Sequence, residues 1–581
     1  MSNFWAYISK KRKGQLSALI LLTILVSLAE VISIGAVLPF LGALTAPDRI
    51  LDIQFLQPLF IKLNILKPSE LLFPMTLIFI VAALLSGIMR LVLLWAQTRF
   101  GYAIGADISI SVYRHSLYLP YSSHVSKNSS EFISGITNKT ALIVTQVILP
   151  ILLIISSSII LMVIFIALLS INSLVAIFAT LGFASTYAFI LFLTKTRLLI
   201  DSDNISSKSN LLIKSLQEGF GGIRDVLIDG TQEVYCKIFR AVDLPLRKAQ
   251  AGITIIGQTP RFIVEAFGIT ILALLAYFLA LSPDGINNAI PVLGVFALAA
   301  QRLLPLLQQV YSSWTSIIGC SALLKDILFY LNQSLPEYSN LPAPPLIKFD
   351  NYIRLQNLDF RYNSDEPSII KDFSCKINKG ERIGLIGTTG SGKSTLIDII
   401  MGLLLPEAGH LSIDDQIITA KNNRSWQLHI SHVPQNIFLA DTTILENIAF
   451  GIPLAEIDHK LVYECAKKAQ ISKTIELWSL KYNTLVGERG VRLSGGQKQR
   501  IGIARALYKQ TDVIIFDEAT SALDDKTELK VIDSIFNLNP DITILIIAHR
   551  LTTLKKCTQV IELEDGKVLR SGSYREIVGK I

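Results

Sequence analysis

The chain has 581 residues, a length that usually holds about three or four domains. Apolar residues make up 51% of it and charged residues only 17%, and the mean hydropathy is +0.48. Because ordinary soluble domains carry roughly 25% charged residues, these values exclude a disordered, fibrous or wholly soluble protein. The net charge of +8 is explained better by basic residues beside membrane spans than by a nucleic-acid-binding face, so no nucleic-acid partner is predicted. Five scattered cysteines without C-x-x-C spacing predict neither a disulfide framework nor a zinc site.

Long apolar stretches in the first part of the chain predict six membrane-spanning helices. A span needs about 20 residues, and residues 140–194 contain no charge, so this stretch holds two helices that turn near residues 170–173. The other four spans fall in stretches with one charged residue each: 15–47, 71–98, 262–282 and 286–324.

The distribution of basic residues predicts the orientation of these spans. Lys10–Lys13 precede the first span and the long segments 99–139 and 195–261 are also basic, whereas the outer turns contain no basic residue. Both termini and both long segments are therefore expected in the cytoplasm. The apolar positions of segment 53–63 fall mostly on one helical face, which predicts a short amphipathic helix on the outer membrane surface, with a packed or re-entrant loop as the alternative.

The composition changes after a proline-rich linker at residues 341–345. Beyond it, short β-branched runs alternate with amphipathic helical stretches, which is the pattern of an α/β domain. We therefore predict two domains, a helical membrane domain over residues 1–340 and an α/β domain over residues 341–581.

A buried-strand pattern at residues 383–386 runs into a phosphate-binding loop. The next residues match G-x-x-x-x-G-K-[ST] and the position after it: Gly387, Thr388, Thr389, Gly390, Ser391, Gly392, Lys393, Ser394 and Thr395. Glycines let backbone N–H groups surround the phosphates, Lys393 neutralises the β and γ oxygens, and Ser394 ligates Mg²⁺. The helix that follows directs its positive N-terminus at the same phosphates. The sequence therefore predicts a site for ATP and Mg²⁺.

A second buried strand, at residues 513–516, ends in two carboxylates. Asp517 is placed to hold Mg²⁺, and Glu518 is predicted to be the general base that orients the attacking water. The alternative is an Asp-Glu pair that merely caps a strand. The phosphate-binding loop favours the catalytic interpretation.

The α/β domain resembles the ATPase of ABC transporters over roughly residues 350–578. The residues that carry the resemblance are its signature and the motifs around it: Leu493, Ser494, Gly495, Gly496 and Gln497, with Gln435, Gly487–Gly490, Ser521–Asp524 and His549. The resemblance implies an ATP hydrolase with Glu518, His549 and Gln435 as catalytic residues and Gln435 as a further Mg²⁺ ligand. It also implies that Tyr362 stacks on adenine and that Asp524 belongs to the nucleotide site.

The same resemblance implies a fold and an assembly. In ABC transporters the signature closes over the nucleotide held by a partner subunit, and this chain contains half of the usual domains. We expect a six-span α-helical membrane domain of the type IV exporter fold followed by an α/β P-loop ATPase domain. We predict a homodimer, and a heterodimer with a separate partner stays open. Segments Leu119–His124 and Gln217–Val226 lie where ABC exporters place the short helices that couple the two domains.

Three arginines lie in or beside the apolar helices: Arg90, Arg261 and Arg302. A charge at bilayer depth is costly and usually functional, and guanidinium groups suit bidentate recognition of phosphate. We predict that these residues bind an anionic cargo. Alternatively, Arg261 reaches the interface or pairs with Glu265, and Arg90 pairs with Glu30.

The membrane domain resembles bacterial lipid-linked oligosaccharide flippases of the PglK type. The resemblance is carried by Ile34–Leu41, Gly221–Asp225, Thr259–Arg261 and the expected external helix. It implies ATP-driven flipping across the inner membrane of a polyprenyl-pyrophosphate glycan or a related surface-polysaccharide precursor. A multidrug or other hydrophobic-substrate exporter is the alternative, with an apolar, aromatic cavity in place of the arginines. Six spans exclude a non-transport ABC ATPase, and the intact motifs disfavour an ATP-gated channel.

Overall fold

The structure is a computed structural model that describes residues 9–45, 71–171, 173–280, 285–340, 344–363, 365–548 and 550–578. These residues form two compact units. The first contains the chain up to Leu119 and Lys127–Ser334, and the second contains Pro120–Ser126 and the chain from Leu335 onward. The change of unit at Ser334 lies a few residues before the predicted boundary between residues 340 and 341, which stays a prediction.

The first unit is helical. Its α-helices are α1 (Lys10–Gly35), α2 (Val37–Thr45), α3 (Leu72–Leu117), α5 (Ser129–Ser134), α6 (Thr140–Ile143), α7 (Leu149–Ile171), α8 (Ser173–Gly221), α9 (Ile223–Ile228), α10 (Gln232–Ala280), α11 (Gly285–Gly319) and α12 (Ser321–Leu331). Two π-helical turns, Gly135–Lys139 and Val144–Ile148, interrupt the helical run between α5 and α7. The short helix α4 (Tyr121–Ser126) belongs to the second unit.

The predicted count of six spans is not confirmed. Within the described ranges, three helical segments are long and apolar enough to cross a membrane: Lys10–Leu41, Leu72–Leu117 and Ser129–Ala167. A fourth is reached if Gln301–Gly319 and Ser321–Leu331, which are bent by 57°, count as one span. The predicted fourth and fifth spans fall on the 49-residue helices α8 and α10. The predicted external helix at residues 53–63 lies outside the described residues.

The helices of the first unit pack around a core that includes Val26, Ile143, Ile164 and Leu323. Two glycines of α3 allow a close approach to the second π-helical turn. A Cβ atom at Gly101 would lie 2.4 Å from Leu149 Cδ2, and one at Gly105 would lie 2.2 Å from Val144 Cγ2. Small residues four apart are a common means by which membrane helices pack closely, because they let the backbones approach.

A polar cross-link joins three segments of the first unit. The ammonium of Lys139, in the first π-helical turn, pairs with the carboxylate of Asp326 on α12, and Ser206 of α8 donates to the same oxygen at 2.5 Å. The side chain of Lys139 is only 4% exposed, whereas that of Asp326 is 35% exposed. Since a buried charge is costly without a partner, this pair ties α12 to α8 and to the π-helical turn.

The second unit contains ten strands and the remaining helices. The strands are β1 (Tyr352–Phe360), β2 (Ile370–Asn378), β3 (Arg382–Gly387), β4 (Ala408–Ile413), β5 (Gln416–Ile417), β6 (Ile430–Val433), β7 (Val513–Asp517), β8 (Thr543–Ile547), β9 (Gln559–Glu564) and β10 (Lys567–Gly572). The α-helices are α13 (Lys393–Ile400), α14 (Asn423–Gln427), α15 (Ile444–Ile448), α16 (His459–Lys468), α17 (Ser472–Glu476), α18 (Gly495–Tyr508), α19 (Asp525–Phe536) and α20 (Tyr574–Ile577).

These strands form two sheets. A four-stranded antiparallel sheet has the order β2-β1-β4-β5, and a six-stranded sheet has the order β10-β9-β3-β8-β7-β6. In the larger sheet every pair except β10–β9 is parallel, and β7 and β8 consist mostly of buried apolar residues, as is typical of parallel strands covered on both faces. Since β3 and β7 flank β8, the segments that follow them emerge at the same edge of the sheet.

Candidate functional site

The phosphate-binding loop connects β3 to α13. Its three glycines have positive φ angles, +149° at Gly387, +86° at Gly390 and +97° at Gly392, which residues with a side chain rarely adopt. A Cβ atom at Gly392 would also lie 2.9 Å from Ile370 Cδ1. The predicted glycine pattern therefore matches a backbone that other residues could not form without strain.

Lys393 starts α13 and folds back onto this loop. Its Nζ donates to the carbonyl oxygens of Gly387 at 2.9 Å and Thr388 at 2.8 Å, and lies 3.4 Å from Ser391 Oγ. The lysine is almost fully buried, and burial lowers the pKa of its ammonium while the carboxylates of Glu518 and Asp517 act in the opposite direction. Lys393 and the two predicted catalytic carboxylates therefore share one electrostatic environment.

Asp517 and Glu518 follow β7 as predicted. Burial, and then the charge of Glu518, raise the pKa of the Asp517 carboxyl above its usual value. Glu518 adopts a left-handed conformation with φ +50°, its backbone N–H donates to Ile547 O at 3.1 Å, and Gln435 Nε2 donates to Glu518 Oε2 at 2.5 Å. The structure thus brings Gln435 to the predicted base.

The signature lies at the start of α18. Ser494 caps this helix: its Oγ accepts from the backbone N–H of Gln497, and Gln497 Oε1 accepts from the backbone N–H of Ser494 at 2.9 Å. Gln499, one turn later, donates to Ser521 Oγ at 3.1 Å and accepts from the backbone N–H of Ala522 at 2.9 Å. The signature is therefore tied to the Ser521–Asp524 segment of its own chain.

The remaining predicted residues of this site have different positions. Tyr362 Oη lies 3.4 Å from Thr395 Oγ1, directly after the phosphate-binding loop. Asp524 caps α19 by accepting from the backbone N–H of Thr527 at 3.0 Å, and this bonding lowers the pKa of its carboxyl. His549 lies outside the described residues, so its predicted role stays a prediction.

The residues present fit Mg²⁺, which is usually held by one or two carboxylates together with substrate phosphates. Asp517 and Glu518 are adjacent carboxylates at the sheet edge, and Ser394 lies in the first turn of the helix after the loop. In the part of the chain that the structure describes, no group of three His, Cys, Asp or Glu residues could hold a metal by itself. The site suits an ion that arrives with a phosphate.

Asp398, on α13, is a residue that the sequence reasoning missed. Burial, and then the charge of Asp517, raise the pKa of its carboxyl to about 6. Tyr121 of the short helix α4 has a raised pKa, caused first by burial and then by Asp398 and Tyr362. The only sequence signal was an acidic residue inside the otherwise apolar helix after the phosphate-binding loop.

Of the two predicted coupling segments, the first therefore packs with the ATP site. Pro120–Ser126 belongs to the second compact unit, whereas Gln217–Val226 lies within the first. The second segment contains the end of α8 and the start of α9, and the side chain of Phe220 there is 72% exposed.

The three membrane arginines are all paired with carboxylates. Arg90 of α3 bonds to Glu30 of α1, and Arg302 of α11 lies 3.5 Å from the other oxygen of Glu30. Arg261 donates to Glu265 at 2.7 Å within α10. The two alternative pairings considered for Arg90 and Arg261 are both present, and Arg302 shares the partner of Arg90. The cargo role of all three stays a prediction.

Arg261 also borders a polar cavity of about 380 Å³ in the first unit. Gln308 spans its wall: it accepts from Tyr187 Oη at 3.1 Å and donates to Gly257 O at 2.7 Å. Ser157 donates to Gln309 Oε1 at 2.9 Å. Hydroxyl and amide groups therefore line a space beside a charged pair.

Comparisons with known proteins agree with this description. Residues 370–521 match the family model described as ABC transporter. Over 305 residues the chain is 33% identical to the ATP-dependent lipid A-core flippase of Chromohalobacter salexigens, a match that covers 52% of each chain. Over 285 residues it is 35% identical to the alpha-hemolysin translocation ATP-binding protein HlyB of Escherichia coli, covering 49% of this chain and 39% of HlyB. The chain thus spans about half or less of the length of these relatives.

The whole structure resembles that of a bacterial Atm1-family ABC exporter with ATP bound. The TM-score is 0.79 at 22% identity, and the match covers 98% of this chain and 96% of the other. The chain therefore has the fold of an ABC exporter, with a helical N-terminal membrane domain followed by a C-terminal ABC ATPase domain.

Proposed function

We propose that this chain is one half of an ATP-driven exporter that works as a homodimer in the inner (plasma) membrane, with both termini in the cytoplasm. The observation that supports ATP hydrolysis is the shared sheet edge: the loop that holds Lys393 and the Gln435–Glu518 pair lie two strands apart. One element supplies phosphate contacts and the other a base. The exporter fold supports the coupling of hydrolysis to transport.

Each side chain has a step that follows from its contacts. Lys393 exchanges the carbonyls of Gly387 and Thr388 for phosphate oxygens when ATP binds. Glu518 accepts the proton of the attacking water, and Gln435 keeps that carboxylate in place. Bound Mg²⁺ would be held by Asp517, Ser394 and Gln435 and would neutralise charge on the phosphates.

The signature supports the dimer. The N-terminus of α18, opened by Ser494, Gly495 and Gly496, is a helix end with free backbone N–H groups, which suits a phosphate. In the proposed dimer each copy offers this end to the nucleotide of the other. The exposed Phe220 and Ile228, 72% and 71% accessible, lie at the second coupling segment and would pack on the partner's ATPase domain.

For the cargo, we infer a lipid-linked oligosaccharide with a polyprenyl-pyrophosphate group, or a related surface-polysaccharide precursor. The observation that carries this proposal is the cluster of Arg90, Arg302 and Glu30. Two guanidinium groups share one carboxylate, so one net positive charge remains among apolar helices. A diphosphate headgroup would complement that charge, and the polar cavity beside Arg261 offers partners for sugar hydroxyls.

The test is the ATPase activity of the full chain in lipid nanodiscs with added polyprenyl-diphosphate-linked glycan. We expect stimulation that falls at least about tenfold in Arg302→Ala and Arg90→Ala, because each loses a charge-assisted phosphate contact. Arg247→Ala is the matched control, since Arg247 pairs with Asp243 on an exposed helix face. Stimulation by apolar drugs, with none by the glycan lipid, would overturn this cargo and favour a multidrug exporter.

A further inference from the structure

Glu30 is a fully buried carboxylate that contacts two arginines from different helices. Its side chain is 0% exposed, whereas those of Arg90 and Arg302 are 39% and 30% exposed. Arg90 Nε donates to Glu30 Oε1, and Arg302 Nη1 lies 3.5 Å from Glu30 Oε2. Each arginine therefore has its own carboxylate oxygen.

The two contacts differ in kind. Arg90 makes a hydrogen bond, whereas Glu30 Oε2 has no hydrogen-bond partner among the residues that the structure describes. At 3.5 Å the contact with Arg302 is an ion pair without a charge-assisted hydrogen bond, which would be roughly 2.8 Å long. A buried carboxylate oxygen that lacks a hydrogen bond is poorly satisfied, so the contact with Arg302 is the weaker of the two.

The charges of the cluster do not balance. Two guanidinium groups face one carboxylate, and each guanidinium has five N–H donors in a planar fork. The exposed parts of Arg90 and Arg302 leave donors for another acceptor. Because carboxylate and phosphate oxygens fit the same fork, a phosphate can replace Glu30 Oε2 on Arg302.

We propose that Glu30 is a displaceable counterion, which holds Arg302 while no cargo is bound and releases it to the phosphate or diphosphate of an anionic lipid. Arg90 stays on Oε1 during the exchange. Glu30 is then a positioning residue that competes with the cargo, weakens its binding and so favours its release. This inference rests on the proposed function, since it assigns a role at the proposed cargo site.

The test measures anion binding directly. The full chain, in phosphatidylcholine nanodiscs without nucleotide, is titrated with dodecyl phosphate by isothermal calorimetry, and the heat from empty nanodiscs is subtracted. Glu30→Gln keeps the shape of the side chain and removes its charge. We expect it to bind dodecyl phosphate about tenfold tighter than the native chain, or about 1.4 kcal/mol. Asp243→Asn, which removes the partner of exposed Arg247, is the matched control and should leave the affinity unchanged.

Equal or weaker binding by Glu30→Gln overturns the proposal, since Glu30 would then not compete with the anion. Absence of binding in both the native chain and Glu30→Gln also overturns it. Glu30→Asp covers the case in which Glu30→Gln does not fold. Its shorter side chain keeps the charge but reaches Arg302 less well, so we expect about threefold tighter binding, and an unchanged affinity contradicts the exchange.

Two further arms separate this inference from the proposed cargo. Inorganic phosphate that binds as tightly as dodecyl phosphate, and equally responds to Glu30→Gln, supports the exchange and assigns it to a free anion. Polyprenyl-diphosphate glycan that fails to stimulate the ATPase, while Glu30→Gln still tightens anion binding, removes the glycan-lipid cargo and supports the counterion. Intact stimulation with no effect of Glu30→Gln keeps the cargo and overturns the counterion.

Discussion

Gln435 donates a hydrogen bond from Nε2 to Oε2 of Glu518 at 2.5 Å, although the two residues follow different strands. Strands β6 and β7 are parallel neighbours, so the residues beyond their C-terminal ends meet at one edge of the sheet. Glu518 has φ +50°, a conformation that costs about 1–3 kcal/mol for a residue with a side chain and persists where the surroundings determine it. The carboxylate is therefore held in position by its own domain.

Glu518→Gln should bind ATP with near-native affinity and lose hydrolysis. The amide keeps the size of the side chain and can still accept from Gln435, but it cannot take a proton from water. We expect ATPase activity to fall at least about 100-fold, as measured by phosphate release from the full chain in nanodiscs. The control is Glu456→Gln, an exposed glutamate in a short 3₁₀ turn of the same domain. Steady hydrolysis by the Glu518 variant would refute the assignment of the base.

Lys393→Ala should weaken ATP binding by about 10- to 100-fold. Its ammonium is held over the loop by Gly387 and Thr388 carbonyls, and a hydrogen bond between charged groups contributes about 1.5–3 kcal/mol. Binding is measured in the Glu518→Gln background, so that hydrolysis does not change the nucleotide during the titration. Lys421→Ala, at an exposed position, is the control. An unchanged dissociation constant in the Lys393 variant would remove its phosphate role.

The sequence predicted those parts of the site that local patterns encode. The glycine loop after β3 and the carboxylates after β7 depend on neighbouring residues, so the motif and the adjacent strand were enough to place Lys393 and Asp517. The bond between Gln435 and Glu518 depends on strand order, which is a tertiary property. The resemblance to ABC ATPases supplied the catalytic role of Gln435 in its place.

The membrane half shows the same limit. Apolar stretches predicted helices, and charge separation along the chain suggested that Arg90 pairs with Glu30. Nothing local showed that Arg302 shares this carboxylate, because the two residues lie on the first and last long helices of the unit. Asp398 was missed for a similar reason: its burial and its closeness to Asp517 come from packing of α13 against the sheet.

Asp326→Asn should destabilise the first unit. It leaves the ammonium of Lys139 buried with only the hydroxyl of Ser206 nearby, and an unpaired buried charge costs several kcal/mol. Because Asp326 is 35% exposed, we expect a smaller loss, about 2 kcal/mol, seen as a lower Tm in detergent. Asp243→Asn breaks an exposed pair and should change stability by less than about 0.5 kcal/mol.

The double variant Lys139→Met/Asp326→Leu tests the cause of that loss. Removing both charges avoids an unpaired ammonium and leaves apolar groups of similar size, so most of the lost stability should return. A double variant that unfolds at the temperature of Asp326→Asn would show that the carboxylate acts through Ser206 or through packing.

Asp398→Asn should stabilise the second unit at high pH and not at low pH. Burial raises the pKa of Asp398 to about 6 from an ordinary 3.8, so between these values the folded chain keeps a proton that the unfolded chain has lost. Its contribution to stability is greatest below pH 3.8 and is lost as the pH rises through 6. At pH 8 the half-buried carboxylate is charged, and the amide relieves about 1 kcal/mol after screening by solvent, or about 2–4 °C in Tm.

The measurement is the Tm of the full chain without nucleotide at pH 5 and pH 8. The rise caused by Asp398→Asn at pH 8 should be much smaller at pH 5, where both the native carboxyl and the amide are neutral. Asp541→Asn, at an exposed position of the same unit, controls for the general effect of removing an aspartate and should show no such difference. An equal change in Tm at both pH values would mean that the amide acts through packing or hydrogen bonding, since a charge effect of Asp398 must follow its titration.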